Sequence, residues 1–241
     1  MALARYKDLC IDVNDEARMT AFWAAAFGLA IDAGRPDNVH LVGPTAQHVV
    51  WINKVPEPRT VKQRVHVDLN VPSVADYERI GATVLPEWGP FAWTVMADPE
   101  GGEFCVFERD KPPAPRVVES PPSWESAERF YELGIDTAES GPIAAWWADV
   151  FGGRLDASDR EFHSVEEIPG CPWQSFVFVP VEEPKTVKNR IHWDVLVDDE
   201  DAIAELCARG SKILRRPDGE IEWTIMADPD GNEFCAFVEA P

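Results

Sequence analysis

The chain has 241 residues, with 22 Lys plus Arg against 43 Asp plus Glu, a formal charge of -21 at pH 7. So acidic a polypeptide repels nucleic acid and anionic membrane surfaces, and neither is expected as a partner. Hydrophobic residues make up 45% of it, including 10 Trp and 12 Phe, which excludes global disorder and provides for packed cores.

The N-terminal MALARYKDLCIDV contains no long apolar run, so neither a signal peptide nor a membrane span is expected, and a reducing cytoplasm is the expected compartment. Within it Leu9, Ile11 and Val13 alternate with Asp8, Cys10 and Asp12, the pattern of a strand with one face on a core. Asn14-Asp15 can cap a helix through ARMTAFWAAAF that Gly28 ends. Weaker strand signals follow at 39–42 and 49–53. A second clear alternation sets Val65, Val67, Leu69 and Val71 against Arg64, His66, Asp68 and Asn70. A helix is expected from about Val74 to Ile80, then strands at 92–97 and 103–108 joined by the tight turn Asp98-Pro99-Glu100-Gly101.

Residues 111–122, KPPAPRVVESPP, hold five prolines and no apolar period. They read as an extended linker. The expected division is a first domain over 1–110, a linker over 111–124 and a second domain over 125–241. After the linker everything recurs. EPRTVKQRVHVDL (57–69) returns as EPKTVKNRIHWDV (183–195), and WTVMADPEGGEFC (93–105) as WTIMADPDGNEFC (223–235). Glu132–Thr137 repeats the first strand, and Trp146, Trp147, Phe151 and Gly152 match Phe22, Trp23, Phe27 and Gly28. The five cysteines, Cys10, Cys105, Cys171, Cys207 and Cys235, show no CxxC, so no disulfide framework or zinc cluster follows. The apolar neighbours of Cys105 and Cys235 predict buried, unreactive thiols.

Each half reads as strand–helix–three strands done twice, giving four βαβββ modules. That order, with the HxD and DPxGNEFC signatures, resembles the vicinal oxygen chelate superfamily, which includes glyoxalase I, bleomycin-resistance proteins and extradiol dioxygenases. The resemblance spans nearly the whole chain outside the linker. It implies an α+β fold of four βαβββ modules, forming two glyoxalase/bleomycin-resistance/dioxygenase-type domains with curved mixed sheets around a cleft. A fold of this kind does not by itself specify a reaction.

Alternation then sorts residues between the two faces of each sheet. With one cleft per half, Asp8, Cys10, Asp12, Arg64, His66, Asp68, Glu103, Cys105 and Phe107 would line the first. Glu132, Asp136, Arg190, His192, Asp194, Glu233, Cys235 and Phe237 would line the second. Metal-binding relatives carry ligands on the first and last strands of each module. Those positions hold Asp8, His66, Glu132 and His192 on first strands, and Trp51, Cys105, Val177 and Cys235 on last strands, with Glu103 and Glu233 two residues before the cysteines. Trp51 and Val177 cannot bind a metal. The candidate metal set is His66, Glu103, His192 and Glu233, for a divalent ion. The competing reading hydrogen-bonds each imidazole to Asp68 or Asp194 with no metal. His66 and His192 are also the candidate catalytic bases.

Candidate ligand-binding residues are Asp8, Lys62, Arg64, Asp68 and Trp93 in half one, and Glu132, Lys188, Arg190, Asp194 and Trp223 in half two. The repeated cations (Arg59, Lys62 and Arg64; Lys185, Lys188 and Arg190) could grip an anionic ligand or neutralise nearby acids. Two functions stay open. One is capture of a small organic molecule of the bleomycin-resistance kind. The other is a divalent-metal-dependent lyase, isomerase or dioxygenase acting on a small oxygenated substrate. Pairing of modules within one chain is compatible with a monomer, and a homodimer is the other option.

Overall fold

A computed structural model describes residues 2–32, 39–86, 92–110, 127–156 and 161–239. The expected linker, 111–124, lies outside the described residues. The first module comprises β1 (Arg5–Val13), α1 (Glu16–Phe27), β2 (Ala30–Asp32), β3 (His40–Val42) and β4 (Val50–Lys54). The second comprises β5 (Val65–Val71), α2 (Val74–Arg79), β6 (Thr83–Val84), β7 (Thr94–Ala97) and β8 (Glu103–Glu108). In the second half the third module holds β9 (Phe130–Thr137), α3 (Ser140–Phe151), β10 (Arg154–Asp156), β11 (His163–Glu166) and β12 (Ser175–Pro180). The fourth holds β13 (Ile191–Val197), α4 (Glu200–Ala208), β14 (Lys212–Arg215), β15 (Thr224–Ala227) and β16 (Glu233–Val238). Four βαβββ modules are present. The short strands β2 and β6, of three and two residues, completed the triplets where the sequence carried no alternation long enough to read.

Local chemistry places the elements as expected. Asp15 caps α1 by accepting from the Arg18 amide at 3.2 Å, and Gly28 closes the helix at φ 65°. Asp98 Oδ1 accepts the amides of Glu100 and Gly102 at 2.8 Å each, folding the β7–β8 turn, and Asp228 does the same for Asp230 and Asn232. The next acid of each turn reaches further. Glu100 accepts from the Asn14 and Asp15 amides at the start of α1, and Asp230 from the Ala138 amide before α3.

The modules assemble into two eight-stranded sheets, ordered β14-β15-β16-β13-β1-β4-β3-β2 and β10-β11-β12-β9-β5-β8-β7-β6. Exchanging the two halves of the sequence turns one order into the other, so the duplication survives as internal pseudo-symmetry. Each sheet is mixed. At its centre an antiparallel pair joins the halves, β1 with β13 and β5 with β9, flanked by parallel pairs β1–β4, β13–β16, β5–β8 and β9–β12. This corrects the expectation of one polar face per half. Each face is built from one module of each half, because alternation says which way a strand faces but nothing about which strand lies beside it.

The core runs the other way. Trp23 of α1 packs 5.5 Å from Phe104 of β8, and Trp147 of α3 packs 5.0 Å from Trp193 of β13 and 5.2 Å from Phe234 of β16. So the first helix of each half rests on strands of the same half's second module, which lie in the opposite sheet. Aromatic contacts also cross between the halves, as where Phe27 stacks 5.0 Å from Phe130, so the core and the central strand pairs both join them. Arg129, 1% exposed, donates to the carbonyls of Ala25 and Ala26 at the end of α1.

Candidate functional site

The polar face at the β1/β13 junction is buried, not solvated: Asp8, Asp12 and Asp194 are 4–6% exposed. The register sets Asp8 opposite Asp194 and Cys10 opposite His192. Asp8 Oδ2 accepts from the Trp51 indole at 3.0 Å and pairs with the Lys7 ammonium, which also lies 4.0 Å from Asp194. The Cys10 thiol donates to Asp194 Oδ2 at 3.7 Å. His192 Nε2 stands 3.8 Å from Asp194 Oδ1, beyond hydrogen-bonding reach. Among the described residues, three buried atoms of this polar face have no hydrogen-bond partner: Asp8 Oδ1, Asp194 Oδ1 and His192 Nδ1. Burial, with the Asp8 charge added, pushes the Asp194 carboxyl well above its usual range. Burial likewise lowers the His192 imidazole, so this ring is held neutral.

At β5/β9 the same positions are arranged differently. His66 Nδ1 lies 2.7 Å from Asp68 Oδ1, a closed imidazole–carboxylate pair. Burial opposes charge on this ring, but Asp68 and then Cys105 outweigh it and raise His66 well above its ordinary value. Asp68 faces Glu132 across the sheet, and Glu132 accepts from Ser175 Oγ at 3.0 Å. Burial raises the Glu132 carboxyl, the Ser175 bond opposes this and the Asp68 charge adds to it. Cys10 is replaced here by Gly134, and a Cβ on Gly134 would stand 2.2 Å from the His66 ring. The imidazole occupies the space of the missing side chain.

Among the described residues, two groups have ligand atoms within 4.8 Å of one another: Cys10, His192 and Asp194, and His66, Asp68 and Cys105. Neither contains Glu103 or Glu233. Lys185 and the Asn189 amide hold Glu233, at 2.6 and 3.1 Å, and Arg59 and the Gln63 amide hold Glu103 in the matching way. The donors beside the histidines are thus the HxD aspartates, the partners the sequence reading offered them, together with strand cysteines that it read as unreactive thiols. Trp93 and Trp223 stack on Phe107 and Phe237, centroids 5.6 and 5.2 Å apart, at the border of each face.

The lead-in segments 57–64 and 183–190 cross between the halves. Lys62 Nζ reaches Asp136 Oδ2 at 2.8 Å, and Lys188 Nζ reaches Asp12 Oδ2 at 2.6 Å. Burial disfavours the Lys188 charge, but Asp12 more than offsets this and raises its pKa. Arg64 donates to the Glu183 and Asp136 carbonyls, and Arg190 to those of Glu57 and Asp12. Of the two roles open to these cations, neutralising acids and tying the halves together is the one these contacts perform. Between the lead-ins lies a cavity of about 760 Å³, which also meets Asp12 and Asp136.

Two mixed sheets, each made from two βαβββ modules with an imidazole, carboxylates and a thiol on its buried polar face, define a tandem protein of the vicinal oxygen chelate superfamily. The chain belongs to its glyoxalase-like domain family, whose sequence profile matches residues 8–107 and 132–237. Among solved structures it is similar to glyoxalase I from Zea mays (14% identity, TM-score 0.63, 98% of this chain and 92% of that one). A putative dioxygenase from Bacillus subtilis is similar to the same degree (14% identity, TM-score 0.60, 98% and 86% covered). At such identity these likenesses establish the fold alone. No curated protein matches the chain. Among the described residues no helix is long and apolar enough to cross a membrane.

Proposed function

We propose that the protein captures a small organic ligand at the β1/β13 face, in the manner of a sequestering protein. The observation that carries this is that Asp8 Oδ1, Asp194 Oδ1 and His192 Nδ1, on two paired strands, are buried and without hydrogen-bond partners. A buried polar atom left unsatisfied costs about 1–3 kcal/mol, so three together favour whatever supplies the missing bonds. Carboxyl oxygens and an imidazole nitrogen of this kind exchange hydrogen bonds with an amine- or hydroxyl-bearing molecule. The formal charge of -21 also favours a cationic ligand. The test is thermal stabilisation by a panel of small amines and polyols. Binding should be lost in Asp194→Asn and kept in Glu132→Gln, which alters the other face. Retention by Asp194→Asn would sink the proposal.

A second reading, a divalent-metal-dependent enzyme, is favoured by one observation: the ligand atoms of Cys10, His192 and Asp194 lie within 4.8 Å of one another. A thiol, an imidazole and a carboxylate suit a zinc-type ion, and the unpartnered atoms fit it. When bound, such an ion polarises oxygens of a substrate. Lys7 and Trp51 would keep Asp8 oriented beside it. The β5/β9 face fits an ion less well, since His66 Nδ1 is committed to Asp68. Elemental analysis of protein purified without chelator decides between the readings. Stoichiometric metal that disappears in His192→Ala selects the enzyme, whereas none after dialysis against several divalent ions leaves capture alone.

A further inference from the structure

The cavity between the lead-ins touches the polar faces at Asp12, Arg64, Asp136 and Arg190 but is not lined by Asp8, His192 or Asp194, and plays no part in the readings above. Its volume, about 760 Å³, is that of a small-molecule pocket. Its walls repeat, because the two copies of EPxTVK supply them. Val61 and Val187, 42% and 43% exposed, are equivalent residues and the most exposed apolar side chains of those segments. A solvated pair of branched side chains facing one concavity is apolar surface that a ligand can cover.

The charges are layered. Asp136 and Asp12 have side chains 6% and 5% exposed, while the lysines that pair with them, Lys62 and Lys188, are 40% and 59% exposed. The acids are therefore behind and the ammonium groups in front, so each repeat presents a positive head to the cavity. An ammonium has three donors, so one held by a carboxylate can still donate elsewhere. The lining holds five basic side chains, Arg59, Lys62, Arg64, Lys188 and Arg190, against four acids, Asp12, Glu57, Asp136 and Glu183, a local exception in a chain with 43 acids against 22 lysines and arginines. Two equivalent cationic heads and two exposed valines lining one cavity are complementary to a molecule with two anionic groups and an apolar body.

We propose that this cavity is a binding site for an elongated apolar dianion of the aliphatic α,ω-dicarboxylate class. One carboxylate meets Lys62, the other meets Lys188, and the hydrocarbon covers Val61 and Val187. No bond is made or broken.

Isothermal titration calorimetry of the full chain with succinate, adipate, suberate and sebacate tests this, with octanoate as the single-headed control. One-to-one binding should peak at one chain length and exceed that of octanoate. Val187→Glu adds an anion to the apolar wall at an exposed position and should weaken binding at least about tenfold, an electrostatic cost of about 1.4 kcal/mol. Val61→Glu should do the same from the other repeat. Asp12→Asn combined with Lys188→Gln removes one head without stranding a buried acid, and should reduce the dicarboxylate to the affinity of octanoate. The proposal is overturned if no dicarboxylate binds, if octanoate binds as tightly, or if both glutamate variants bind undiminished. Asp194→Asn should leave this binding unchanged, which separates its failure from failure of the β1/β13 proposal.

Discussion

The two polar faces descend from one repeat, yet they hold their histidines in opposite states. At β5/β9 His66 is bonded to Asp68 at 2.7 Å and its pKa is raised. At β1/β13 the same HxD leaves His192 3.8 Å from Asp194 with its pKa lowered. Among the exchanges between the faces, one lies directly opposite the histidine. Gly134 makes room for the His66 ring, whereas Cys10 occupies the equivalent place beside His192 and gives its thiol to Asp194. At β5/β9 the imidazole and its aspartate satisfy each other, whereas at β1/β13 both keep unpartnered atoms. Duplication followed by divergence at the residue opposite the histidine separates a closed site from an open one.

The largest expected contrast is in the response to acid. His48, before β4, is buried with its pKa lowered to about 4, whereas Trp173, before β12, cannot titrate; each ring packs against Phe130. An unfolded histidine titrates near 6.5. The stability from a neutral His48 is therefore complete above pH 6.5 and lost as the pH falls towards 4. The amount is on the order of 3 kcal/mol. Urea unfolding of wild type and His48→Gln between neutral and acid pH should show the variant's stability falling less steeply. Parallel curves remove His48 from the account.

Gly134→Ala should come next, because a Cβ so close to the His66 ring must displace it. Overpacking of this kind costs about 2 kcal/mol, read from the denaturant midpoint. Asp68→Asn removes the charged partner of His66 and should cost about 1.5 kcal/mol. Its sharper readout is NMR: the His66 imidazole should titrate at lower pH than in wild type, and an unmoved titration would show that Asp68 does not set it. The smallest effect is expected from Cys10→Gly, about 1 kcal/mol or less from added chain freedom. It gives the β1/β13 face the composition of its counterpart. A crystal structure should then show His192 closing on Asp194, and a ring that stays put would break the one-residue explanation.

Much of the fold was legible in the residues. The alternation in β1, β5, β9 and β13, the Asp15 and Gly28 signals around α1 and the DPxG turns are local, and local pattern is what a sequence displays. The His and Asp of each HxD were legible as neighbours because residues two apart on a strand share a face. The cysteines beside them were discounted, since apolar flanks describe burial but not the carboxylate that a neighbouring strand brings up. Glu103 and Glu233 read as partners of the histidines, but the lead-ins reach them first.

The sequence by itself determined four βαβββ modules, their duplication and which residues share a strand face, because each follows from backbone geometry within one segment. Only the tertiary structure decided that β1 lies beside β13 and β5 beside β9, and so which half of the chain each histidine faces. Strand pairing is a choice between surfaces far apart along the chain, made by the aromatic packing of α1 and α3 and by the crossing lead-ins. No periodicity within a segment records it.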